Sequence, residues 1–171
     1  CALESDKFAV AFSNAPTQSG STGGLVVGQV AGTSVTLGTP YWGWGGGSPY
    51  HVVNIGNNRI GWGDSGGLVN NWGYSSSTLA LTNHGQYVVS GGNWAYTTLT
   101  AYAVDKMVYG YYTGDLYPST VTVSGTSAPT YTSQTPVGGS GGQGFKAVKT
   151  SVATDPASIL YVWQASNVTY A

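Results

Sequence analysis

The residues best suited to chemistry lie in one short string, Gly63-Asp64-Ser65-Gly66-Gly67. A serine in such a turn becomes a nucleophile only when a base takes its proton and a third group orients that base. The chain has two histidines, His51 and His84, and six acids. Only His51 precedes Ser65, by 14 residues, and apart from Asp64 itself the only earlier Asp is Asp6. A two-histidine metal site would need convergent ligands, yet the neighbours Tyr50, Val52, Asn83 and Gly85 offer none. Asp64, Asp115 and Asp155 lack the alternating spacing of a calcium loop, and no two acids sit in a context recognisable for glycoside hydrolysis. The Gly-rich runs Gly43-Trp44-Gly45-Gly46-Gly47 and Gly138-Gly139-Ser140-Gly141-Gly142 lack the Lys-Ser/Thr ending of a phosphate loop and read as surface loops. No metal or cofactor is expected.

The string around Ser65 resembles the one that surrounds the nucleophile of chymotrypsin-like serine proteases, where backbone N–H groups form an oxyanion hole and a His and an Asp from earlier strands activate the serine. Fourteen residues after His51 cannot hold the intervening barrel strands, and about 60 residues cannot hold one barrel and half of another. The string fits better as a turn closing a strand. The expectation is a non-enzyme, with a hydrolase built around Ser65 as a third alternative.

Aromatic residues beside Gly and Asn are a second candidate set: Tyr41, Trp42, Trp44, Trp72, Tyr74, Trp94 and Tyr96. Flat rings in accessible loops would stack on sugar C–H faces and make a glycan site. The same rings could instead fill the core between sheets, since large rings bury much apolar area. Both readings stand at this level.

The elements that must position these residues follow a repeat. The segments beginning Phe8-Ala9-Val10-Ala11-Phe12, Arg59-Ile60-Gly61-Trp62, Met107-Val108-Tyr109-Gly110-Tyr111 and Ile159-Leu160-Tyr161-Val162-Trp163 each alternate like a half-buried strand, with Phe12, Trp62, Tyr111 and Trp163 spaced by 50, 49 and 52 residues. Polar turn residues precede each one, and further short strands lie between. No window shows helical periodicity free of Gly or Pro. About four strands per 50 residues is the arithmetic of a propeller blade. The expected fold is a single all-β domain over 1–171 with approximate repeats 6–56, 57–104 and 105–154 and an extra strand in 155–171. The ring is incomplete per chain, and the alternative architecture is a β-sandwich or jelly roll. The spacing therefore points to assembly of chains, to a fourth blade that the N-terminus completes, or to a longer polypeptide.

Composition narrows the function. Of 171 residues only 11 are charged, against roughly a quarter in ordinary domains, and the net charge is −1. Five cations cannot neutralise a nucleic-acid backbone, so that partner is excluded, and no apolar run approaches the ~20 residues of a membrane span. Solubility must come from Ser, Thr, Asn, Gly and Tyr, a composition suited to a virion or extracellular surface. Cys1 is the lone cysteine, so no internal disulfide forms. Its position reads as the start of a piece of a longer chain or as a processed end.

Asp6-Lys7-Phe8-Ala9-Val10-Ala11-Phe12 and the stretch from Val27-Gly28-Gln29 to Gly38-Thr39-Pro40 resemble a repeat of large bacteriophage structural proteins, notably tail-fibre and appendage proteins of marine phages. That resemblance covers 6–40 and implies blade-like repeats in a virion component, with no catalytic residues. The expected function is a structural and adhesive module packing against other virion or surface-assembly subunits and attaching to a host surface. The alternative is a secreted or cell-surface lectin binding a cell-surface glycan.

Overall fold

The computed structural model describes residues 1–13, 23–42, 49–64, 67–88, 96–112, 116–133, 142–149, 159–165 and 168–170. Fifteen strands run through them: β1 (Lys7–Ser13), β2 (Gly23–Ala31), β3 (Ser34–Leu37), β4 (Tyr41–Trp42), β5 (Pro49–Gly56), β6 (Arg59–Asp64), β7 (Leu68–Tyr74), β8 (Leu81–Val88), β9 (Tyr96–Ala103), β10 (Lys106–Tyr112), β11 (Leu116–Thr122), β12 (Thr130–Ser133), β13 (Gly142–Lys149), β14 (Ile159–Ala165) and β15 (Val168–Tyr170). Among the described residues no helix is long and apolar enough to cross a membrane.

The strands form four separate antiparallel sheets in chain order. Sheet A is β1-β2-β3 with β4 also on β2, sheet B is β5-β6-β7-β8, sheet C is β9 to β12, and sheet D is β13-β14-β15. None closes into a barrel, and the all-β, blade-like architecture agrees with the spacing argument. Local chemistry sets the hairpins. Gly56 pairs with Arg59 across Asn57 and Asn58, whose φ values of 51° and 55° make the two-residue turn that matches strand twist. Ala31 pairs with Ser34 across Gly32-Thr33, with Gly32 at φ 60°.

The sheets stack in a row, with β1 against β5, β5 against β9 and β9 against β13. Contact is closest along these leading strands, as when blades fan out from a common edge. Between sheets A and B lie Ala9, Leu25, Val27, Ile60, Trp62, Trp72 and Leu79. Between B and C lie Ile55, Val69, Leu99, Met107, Tyr109, Tyr111 and Val121. Each fully buried side chain of this size contributes about 1.5–3 kcal/mol of apolar burial.

The repeat holds, with its frame shifted. The expected boundaries at 56/57 and 104/105 fall on hairpin turns inside sheets B and C, and the sheets instead part at 43–48, 89–95 and 134–141. The recurring segments are β6, β10 and β14, the second strands of their sheets, and β1 occupies the same place. Its missing leading neighbour is represented by Cys1–Leu3: Ala2 bridges Phe8, and the Ala9 N–H donates to the Cys1 carbonyl at 2.8 Å. The segment expected as one extra strand belongs to sheet D, where β14 pairs with both β13 and β15.

Aligned on the residue that follows the turn, the second strands read Lys7-Phe8-Ala9-Val10-Ala11, Arg59-Ile60-Gly61-Trp62-Gly63 and Lys106-Met107-Val108-Tyr109-Gly110, so that Val10 and Tyr109, not Phe12 and Tyr111, stand in the place of Trp62. In sheets B and C the large residues, Ile60 and Trp62 and then Met107 and Tyr109, turn back to the preceding sheet, while Arg59, Gly61 and Gly63 of β6 face sheet C. Space explains the small residues. A Cβ at Gly61 would strike the Met107 sulfur, and one at Gly63 would lie 3.4 Å from the Tyr109 ring.

Candidate functional site

Strand pairing relocates part of the aromatic set. β8 starts at Leu81, and Leu79 sits in the preceding turn with φ 60°. Trp72-Gly73-Tyr74, read as loop residues, lie in β7. There Trp72 is 2% and Tyr74 7% exposed, so both rings are core and closed to a ligand. The Tyr74 hydroxyl donates to Glu4 at 3.2 Å, and burial first and the Glu4 charge second push its pKa up.

Tyr41 and Trp42 form β4, half-buried on opposite faces of sheet A. The Tyr41 ring lies 4.5 Å from that of Trp72, and Trp42 meets Phe12 edge to face at 4.8 Å. Tyr96 starts β9. Trp44 and Trp94 lie outside the described residues. The seven rings therefore do not form one surface: Tyr41, Trp72 and Tyr74 help seal the A–B seam.

The protease-like string is organised as a turn. The Asp64 carboxylate accepts from the Leu68 N–H at 2.9 Å, and its carbonyl accepts from the Gly67 N–H at 3.4 Å, with Gly67 at φ 81°. The buried Tyr109 hydroxyl donates to the same carbonyl at 3.0 Å, so the turn also anchors sheet C. Desolvation, with the Asp64 charge second, raises the Tyr109 pKa. Ser65 lies outside the described residues. His51 sits on β5 with Nε2 2.6 Å from the Thr97 carbonyl, where its N–H donates across the B–C seam. Burial lowers its pKa, partly offset by that bond.

The largest polar cluster also lies between B and C, at the turn end. Arg59, 5% exposed, pairs with Asp105 and donates to the Gly125 carbonyl at 2.8 Å. The Asn71 amide donates to the Gly125 and Ser127 carbonyls at 3.1 and 2.9 Å. The Asp105 N–H reaches back to the Ile55 carbonyl at 3.0 Å. These bonds staple the two sheets at one end. Above them opens a cleft of about 550 Å³ bordered by Asn57, Asn58, Thr82, His84 and Thr126. The His84 ring packs directly over Gly73, where any Cβ would meet it.

Across the described residues, the fold itself employs the carboxylates. Glu4 and Asp6 hold Lys7 at 2.8 and 3.1 Å, and Asp6 also accepts from Gln29 at 2.6 Å. The Gln29 and Lys7 contacts hold the Asp6 carboxyl below its usual range. Asp64 caps a turn and Asp105 pairs with Arg59. No three His, Cys, Asp or Glu side chains among the described residues come close enough to hold a metal. The arrangement suits joining sheets more than moving protons.

Sequence reasoning missed the Arg59–Asp105 staple, though a signal existed: Lys7, Arg59 and Lys106 recur directly after Asp6, Asn58 and Asp105. It also missed the full extent of the apolar outer face of sheet A, because only strand register shows which residues share a face. No family model and no curated protein matches this chain.

Proposed function

We propose that this chain is a non-enzymatic structural and adhesive module that works by packing β-sheets into a larger assembly and presenting an uncharged surface to its target. The observation that carries the reading is the use of all four described carboxylates in holding turns and sheets together. A general acid or base needs a carboxyl or imidazole at the substrate; of the two histidines, His51 is engaged by a backbone carbonyl, while His84 borders the cleft with no described carboxylate bonded to it. The resemblance of 6–40 to marine-phage tail-fibre and appendage repeats supports a virion as the particle and a host surface as the target.

Mass spectrometry of purified particles from the source culture tests this directly. Peptides of the chain in stoichiometric amounts support the proposal; their absence from particles, with the chain present in the medium or lysate, contradicts it. Ester and peptide hydrolysis by the parent and by Ser65→Ala tests the non-enzymatic part, which fails if the parent turns over substrate and the variant does not.

A carbohydrate-binding reading draws on the open polar cleft beside Thr82 and His84, whose neutral amides and hydroxyls are suited to sugar hydroxyls. A glycan array with Thr82→Ala, Trp44→Ala and Trp94→Ala examines it. Loss of signal at unchanged melting temperature supports binding, and no signal from the parent removes it.

A further inference from the structure

The back face of sheet A differs from the equivalent faces of sheets B and C. Antiparallel partners share a face, and the register pairs Phe8 with Gly28, Val10 with Val26 and Phe12 with Gly24, then Val30 with Val35, Gly28 with Leu37 and Gly24 with Trp42. Every residue on this face is Phe, Val, Leu, Trp or Gly. The rings of Phe8 and Phe12 fold down over Gly28 and Gly24, where a Cβ would collide with them, so the surface is flat. Val10, Val30, Leu37 and Val35 are 43, 42, 58 and 61% exposed. A contiguous apolar sheet face with no polar member marks an interaction surface.

Its position says what covers it. Phe8 and Val10 stand where Ile60 and Trp62 stand in sheet B and where Met107 and Tyr109 stand in sheet C. Those four residues are 0% exposed because the preceding sheet lies on them. In the described seams the stack is directional, sheet A receiving the back face of B and sheet B that of C, so the back face of sheet A is the one that carries no sheet among the described residues. We propose that the back face of sheet A docks on the β13-β14-β15 end of the row in a second copy of this chain, continuing the intrachain order of sheets between molecules. Such a contact is heterologous, joining unlike patches and propagating until a ring closes. Two copies supply eight sheets, within the roughly four to eight blades of closed propellers. The inference rests on the assembly reading above and adds the partner and the surfaces.

Light scattering on the eluting protein tests it. The parent is expected at twice 17.6 kDa or a higher multiple. Val10→Lys and Leu37→Lys are expected at the monomer mass with unchanged far-ultraviolet circular dichroism, since both sites are exposed and a lysine there costs the single chain little. A monomeric parent at about 100 μM, or lysine variants that keep the parent's mass, overturns the proposal. A Cys1→Ser, Val10→Cys variant that oxidises to a disulfide-linked dimer of one face with itself also overturns it, because a head-to-tail contact keeps the two Val10 sites apart. Detection of the chain in particles bears on the proposed function alone: a monomer found in particles sinks only this inference, and a dimer absent from particles sinks only that function.

Discussion

The seam between sheets A and B and the seam between B and C occupy equivalent places and are held differently. The first is filled by Trp62, Trp72, Leu25 and Val27, with polar ties at its margin from Tyr74 to Glu4 and from the Asn54 amide to the Leu3 carbonyl at 2.9 Å. The second has Met107 and Tyr109 over two glycines and is crossed by polar ties: Arg59 to Asp105, Asn71 to two carbonyls, His51 to Thr97 and Tyr109 to Asp64. One seam depends on volume and the other on satisfied polar groups. Three of the nine charged residues in described positions, Glu4, Arg59 and Asp105, thus tie one sheet to another through their charged groups.

Deleting volume from the first seam should have the largest effect. Trp62→Ala leaves a ring-sized cavity at a site with 0% exposure and should cost about 3–5 kcal/mol in urea unfolding. Breaking the staple in the second seam comes next. Arg59→Met strands the Asp105 carboxylate and Asp105→Asn strands a buried guanidinium; with the Asp105 side chain 30% exposed, each should cost about 2–3 kcal/mol, below the range for fully buried pairs. The double variant should lose less than the sum, and additivity would mean the pair is not coupled. Gly61→Ala drives a methyl into the Met107 sulfur and should cost about 1–3 kcal/mol, recovered in part by Met107→Val.

Acid should loosen the second seam alone. His51 has a folded pKa below the model-peptide value of 6.5, so the unfolded chain binds more protons as pH falls. The stabilisation is complete above 6.5 and declines as pH drops below it toward the folded value. Melting temperature should therefore fall between pH 7.5 and 5.5 more steeply for the parent than for His51→Gln, and equal slopes would remove His51 as the cause. The smallest effect is a gain. Asn70 is fully buried, with neither amide atom hydrogen-bonded, so Asn70→Leu should add about 1 kcal/mol.

Asn70 and its neighbour also show where the sequence was hard to read. The all-β class and the recurring second strand were legible because Ile60/Trp62 and Met107/Tyr109 alternate cleanly with small residues. Strand β7 was not, since Leu68-Val69-Asn70-Asn71-Trp72 puts an amide on each face and erases the period of two. Asn71 is buried because it satisfies carbonyls of Gly125 and Ser127, more than 50 residues away, which no local pattern encodes. Sheet boundaries were misplaced for a related reason: the polar turn residues Gly56-Asn57-Asn58 and Asp105-Lys106 mark hairpins within sheets. Of the candidate site, Trp72 and Tyr74 changed from accessible rings to core once β7 was in place.

The central claim is that the back faces of sheets B and C are built to be covered by the sheet before them, while the equivalent face of sheet A is open among the described residues. Thermal melting of three variants at equivalent positions, Val10→Lys, Trp62→Lys and Tyr109→Lys, tests this most directly at concentrations low enough to keep the chain monomeric. The account predicts that Trp62→Lys and Tyr109→Lys abolish the cooperative transition while Val10→Lys melts within a few degrees of the parent. Equal damage from all three, or tolerance of lysine at Trp62, would contradict it.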